Sequence, residues 1–137
     1  MNNSRFSTSV HILTLLASAG KGEVLTSDYL AGSININPVL VRKELINLRK
    51  HDLVGSKEGK NGGAYLAKPA NDIRLSEVYA AVQDSPLLGK AKNKPNPACP
   101  VGRQIGEHLD GLYVEAEKAL VSQLGTTTLQ NFVNRFI

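Results

Sequence analysis

Cysteine occurs once in the 137 residues, at Cys99, methionine once and tryptophan never, and the aromatic residues are three Phe and four Tyr. A single thiol excludes an internal disulfide. No apolar run approaches 18 residues and no signal-peptide pattern opens the chain, so neither a membrane span nor secretion is expected and a cytoplasmic location is the default. His11, His51 and His108 stand in separate segments without a carboxylate or thiol at ligand spacing, which leaves no metal site and no cofactor to expect. No catalytic Ser, His and Asp grouping announces itself, and no enzyme is expected. The run Gly55-x-x-x-Gly59-Lys60 is one residue short of a phosphate-binding loop and continues with Asn61 into a strand pattern rather than a helix.

With so few aromatics, the core has to come from Leu, Ile, Val and Ala at helical spacing, and one mainly α domain is expected. Charge is uneven along the chain. Residues 1–69 carry nine Lys and Arg against five Asp and Glu, whereas residues 70–137 carry seven of each. A surplus confined to the first half suits a polyanionic partner.

Phe6, Val10, Leu13 and Leu16 or Ala17 recur at three- and four-residue steps, predicting a first helix ended by Gly20. A short second helix is expected from a cap at Thr26 or Ser27 to about Gly32, with Leu25, Tyr29 and Leu30 inward. Asn37-Pro38 then opens a third, over 38–51. Asn caps and Pro occupies the one helical position where a missing N–H costs nothing. Val41, Leu45 and Leu48 form its core stripe, and Val39, Arg42, Lys43, Ile46 and Lys50 its outer face.

Leu53-Val54 begins a strand and residues 64–68 return, so EGKNGG reads as a hairpin loop whose glycines permit a close approach to a backbone. A helix follows from Ser76 to about Asp84, with Tyr79 and Val82 inward. Residues 84–100 hold four prolines and three lysines without a hydrophobic period and read as a flexible connector. From Val101 to Leu124 a long helix carries apolar residues on a stripe broad enough for two partners. Gly125 stops it, and a final helix carries Leu129, Phe132, Val133 and Phe136.

Helix, short helix, tight turn, basic-faced helix and lysine-tipped hairpin are the parts of a winged helix-turn-helix. The sequence resembles the Rrf-type winged-helix transcription regulators over nearly its whole length. The pieces that carry the likeness are Leu48-Arg49-Lys50, Leu53-Val54, Gly62-Gly63 with Tyr65-Leu66-Ala67, Pro69, the Ile73 to Val82 helix and Thr128-Leu129. The resemblance implies a homodimer, joined mainly by the long helix, that places two recognition helices in successive major grooves of a palindromic double-stranded operator, and a repressor is the first reading of such a chain. Its division would be a DNA-binding domain over 1–83, a connector over 84–100 and a dimerisation region over 101–137.

Helix 38–51 is then the groove reader, with Asn35, Asn37, Pro38, Val39, Arg42 and Lys43 as candidate base-side residues. Arg49, Lys50, Lys57, Lys60 and Asn61 are candidate backbone contacts, and the wing 53–68, which carries the last three, would grip the backbone or the minor groove. The dimer would close over Val101, Ile105, Leu109, Leu112, Ala116, Leu120 and Leu124, an apolar stripe that another copy of the chain covers most simply. Gly102, Gly106 and Gly111 weaken that helix, which suggests close helix–helix approach. Cluster-binding members of the family carry three cysteines, and Cys99 alone does not supply such a ligand set. Cys99, before a helix N-terminus, is a candidate thiol sensor, with a plain unreactive thiol as the other reading. The effector, redox or small molecule, stays open. A protein-interaction module docking an acidic partner through the same basic face is the alternative function.

Overall fold

The computed structural model describes residues 4–89, 91 and 93–136, so that Lys90 and Lys92 of the expected connector lie outside the described residues. Helix α1 (Ser4–Ala19) runs through the centre of the core and buries Val10, Ile12, Leu13 and Leu16, while Phe6 and Ala17 are half-buried. Thr14 sits inside too, and its Oγ1 donates to the Val10 carbonyl at 2.7 Å, so its hydroxyl is paired within the helix.

Helix α2 (Ser27–Ile34) is capped by Thr26, whose Oγ1 accepts from Tyr29 N. It continues past Gly32, the expected end. The stop comes instead from Asn35 at φ 63, whose N–H closes on the Ala31 carbonyl at 2.7 Å; asparagine tolerates this left-handed geometry better than most residues. Tyr29 is the second correction. Leu30 and Ala31 take the inward face and Tyr29 stands 59% exposed.

Helix α3 (Pro38–Lys50) begins as the sequence predicts, with Asn37 Oδ1 accepting from Val39 N at 2.8 Å and Pro38 in the first turn. Val41 and Leu48 are fully buried, with Leu45 packed beside them. The helix ends in a left-handed residue that is not glycine: Asp52 has φ 60, its N–H reaches the Arg49 carbonyl, and Leu53 N reaches the Leu48 carbonyl. That pair of bonds, with Leu48 and Leu53 both buried, is a Schellman stop.

Strands β1 (Val54–Lys57) and β2 (Gly63–Leu66) pair antiparallel, with Val54 opposite Leu66 and Lys57 opposite Gly63. The return strand is 63–66 rather than 64–68, because Ala67 turns its N–H back to the Leu53 carbonyl before Pro69. Leu25 joins the other edge of β2 through two bonds with Ala64. Helix α4 (Leu75–Val82) starts one residue before Ser76 and ends before Asp84; Val82 is buried, Tyr79 half-buried.

Helix α5 (Pro100–Leu124) is 25 residues long, about 37 Å at 1.5 Å per residue. None of its residues is buried. Its footing on α4 is polar: Glu117 Oε1 accepts from Tyr79 OH at 3.0 Å and also from Gln83 Nε2. Helix α6 (Leu129–Val133) then brings the chain back to α1. Leu129 and Val133 are buried in the same core, Leu129 N donates to the Ile73 carbonyl at 2.7 Å, and Leu75 N to the Thr127 carbonyl at 3.0 Å. Among the described residues no helix is long and apolar enough to cross a membrane.

Candidate nucleic-acid interface

The turn 35–37 and the start of α3 form one end of an exposed surface. Asn35 is held left-handed as the cap of α2, and Asn37 spends its carbonyl oxygen on α3, which leaves its amide N–H groups outward. Val39 and Leu40 are 58% and 52% exposed, and Arg42 and Lys43 are exposed beside them. An exposed helix face with apolar tips and cations at its N-terminal half can meet thymine methyls and base-edge acceptors.

Two serines that periodicity gives no reason to single out position the arginines. Arg42 Nη1 donates to Ser27 Oγ at 3.3 Å, tying α3 to α2, and Arg49 Nη1 donates to Ser56 Oγ at 2.8 Å, tying α3 to the wing. Between α3 and β1 lies a groove of about 290 Å³ whose lining includes Ser27, Arg42, Ile46, Arg49, Ser56 and Lys57. Three of the expected contact residues, Arg42, Arg49 and Lys57, are thus brought to one concavity. Lys50 is exposed at the end of α3, and Lys60 and Asn61 are exposed at the wing tip, Asn61 with φ 66.

The acid on α3 is turned away from this surface. Glu44 is 7% exposed and receives Arg5 through Nε–Oε2 at 2.9 Å and Nη2–Oε1 at 3.2 Å. That hydrogen-bonded pairing raises the Arg5 pKa further above its ordinary value, so the guanidinium remains charged. With Glu44 neutralised from behind, the outward face of α3 presents Arg42, Lys43, Arg49 and Lys50. Neither Arg5 nor Glu44 was legible as a pair, being 39 residues apart in sequence.

The wing glycines divide by cause. A Cβ on Gly63 would lie 2.6 Å from the Leu25 carbonyl oxygen, and one on Gly62 would collide with the Lys57 carbonyl, so both are demanded by the protein's own backbone. Gly59, at φ +85 with open space around it, is the glycine left to the tip.

On α5, the expected dimer stripe is open: Val101 is 69%, Leu112 60% and Ile105 36% exposed, while Leu109, Ala116, Leu120 and Leu124 are half-covered. Gly102 has an intramolecular reason, since a Cβ there would come within 2.8 Å of the Asn96 carbonyl oxygen. Gly106 and Gly111 face open space. Cys99 is exposed and caps α5, its Sγ accepting from Gly102 N at 3.4 Å.

The family described as "Rrf2: Iron-dependent Transcriptional regulator" matches residues 2–135. YwnA of Bacillus subtilis strain 168, designated an HTH-type transcriptional regulator, is 37% identical over 134 residues, covering 98% of each chain. A crystal structure described as that of a DNA-binding protein superposes with a TM-score of 0.74 at 34% identity, covering 93% of this chain and 97% of the other. CymR, the global cysteine regulator of B. subtilis, shares the fold with a TM-score of 0.73 at 17% identity, over 98% and 97% of the two chains. The iron in the family description does not fit the donors here. A cluster draws on several thiolates, this chain has one, and no three His, Cys, Asp or Glu side chains gather as a ligand set among the described residues.

Proposed function

This chain belongs to the Rrf2 family of transcriptional regulators, and from that membership we propose that it is a homodimeric repressor reading a palindromic operator with two copies of α3. That it is a DNA-binding regulator with a winged-helix fold follows from the family; the dimer, the repression and the residue assignments are the proposal. The carrying observation is the convergence of Arg42, Arg49 and Lys57 on one groove between α3 and the wing, with Glu44 withdrawn to Arg5. Asn35, Asn37, Val39, Arg42 and Lys43 would meet base edges, with Pro38 fixing the helix start beneath them. Arg49, Lys50, Lys57, Lys60 and Asn61 would meet phosphates.

The dimer is supported by the open stripe on α5, because an exposed apolar face of this length needs cover. Its two-fold axis would separate the α3 helices by about one turn of DNA, roughly 34 Å, and so set the half-site spacing. The compartment of action is the one that holds the chromosome, the cytoplasm of a bacterial cell. No catalytic role is assigned.

Selection of bound sequences from a random duplex pool tests the whole reading. Recovered sites with two inverted halves about 10 base pairs apart are expected. Recovery of no preferred sequence at low salt overturns it, and capture of acidic protein in place of DNA would move the same face to the interaction-module reading.

A further inference from the structure

We propose that the cavity behind the wing is an effector site for a small carboxylate with an apolar body, and that its occupant loosens DNA by drawing Lys57 to itself. The cavity holds about 660 Å³, within the 300–1,000 Å³ of ordinary small-molecule sites. Its floor includes Leu16 and Ala70, which are 4% and 9% exposed, and the ring of Tyr65 stands in its wall. An apolar body would be desolvated there.

The rim decides the polar end. Lys21 and Lys57 line it and have no ion-pair partner among the described residues, with Glu23 the one acid beside them. Lys68 also lines the cavity, but its Nζ is engaged by Glu77 Oε2 at 2.7 Å. The surplus is a single positive charge, which suits a monoanion. Gly20 and Gly22, at φ +93 and +87 with nothing near their missing Cβ positions, leave the mouth unblocked.

Lys57 is the link to regulation, because it lines both this cavity and the groove facing α3. An ammonium paired with a carboxylate behind the wing is withdrawn from a phosphate in front of it. This second half rests on the operator reading above, whereas the ligand site does not.

Binding is therefore measured first on the full chain without DNA, following backbone amide resonances of Leu66 and Ala70. The probes are 3-phenylpropionate and octanoate, with 3-phenylpropan-1-ol and acetate as charge-free and body-free controls. Saturable binding of a carboxylate is expected, about tenfold or more tighter than either control, and Lys21→Gln should weaken it about tenfold while leaving ligand-free DNA affinity unchanged. No binding of either carboxylate, equal binding of the alcohol, or indifference to Lys21→Gln overturns the site. On selected operator DNA, the bound carboxylate should reduce the log–log salt slope by about 0.9 per protomer, the share of one phosphate contact. Unchanged operator affinity at saturation overturns the coupling alone, and failure to bind DNA with or without the probe counts against the operator reading rather than the cavity.

Discussion

Asn37 has two tasks for one amide. Its oxygen accepts from Val39 N at 2.8 Å as the cap of α3, and its N–H groups are the donors left to meet a base-edge acceptor or a phosphate. Asn37→Ala should cost about 0.5–2 kcal/mol of stability. Asn37→Ser should recover most of that in urea unfolding, yet not the operator affinity if the amide touches DNA. Arg49 is a second such residue, because its bond to Ser56 fixes the wing against α3. Ser56→Ala should weaken operator binding while leaving the salt slope unchanged, since no cation is removed; a slope lowered by about 0.9 would show that Ser56 organises a phosphate contact. The residue types at the helix start were readable because Asn-Pro is a local signal. Gly62 and Gly63 have a cause that was not readable, because it lies in the backbones of Lys57 and Leu25, which no local pattern announces. Tyr29 misled for another reason: α2 has room for one inward stripe, and Leu30 with Ala31 fills it.

At the scale of elements, the order helix, helix, helix, hairpin, helix, long helix, short helix was legible from periodicity and turn residues. The ends of α2 and β2 were not, because each is set by a bond from elsewhere or by a left-handed residue other than glycine. The same limit hid the Arg5–Glu44 pair between α1 and α3. Arg5→Ala leaves a nearly buried carboxylate and should destabilise by about 1–3 kcal/mol, the lower side of a broken buried pair because the Arg5 side chain is 33% exposed. Adding Glu44→Leu should return much of the loss in denaturant unfolding, and strict additivity of the two changes would mean that the pair contributes nothing.

The α4–α5 footing makes a pH prediction. Burial, with the bond to Glu117, raises the Tyr79 pKa above 10.0, so the fold favours the neutral phenol. The stability linked to this shift is fully present below pH 10 and is lost as pH rises through the raised folded value. Urea midpoints between pH 8 and 11 should therefore fall more steeply for the unaltered protein than for Tyr79→Phe. Parallel curves would remove the phenol from the account.

For the whole molecule, the decisive feature is a 25-residue helix with no buried residue and an apolar stripe. Leu112→Asp, at a site 60% exposed in the single chain, should leave the monomer folded but shift it from dimer to monomer in sedimentation. Affinity for a two-half operator should fall by about 100-fold or more, while affinity for random DNA changes little, as expected when a tethered second contact is lost. A variant that still sediments as a dimer would place the interface elsewhere. The stripe was legible in the sequence, since a 3.6-residue period survives without tertiary information. The half-cover that Leu109, Ala116, Leu120 and Leu124 receive from the rest of the chain was not, because it comes from tertiary packing.

The return of α6 to α1 reaches beyond the joint it makes. Leu129 and Val133 complete the pile of side chains on which α3 rests, although Leu129 comes 79 positions after Lys50, the last residue of α3. A gene fragment ending at codon 83 would encode every residue proposed to meet DNA and still make a poor reader, because it lacks Leu129 and Val133 of the core. A stop codon at or before position 129, which removes both residues, should for the same reason behave as a null allele, and a compact reader cut from this chain would need residues 127–133 grafted back.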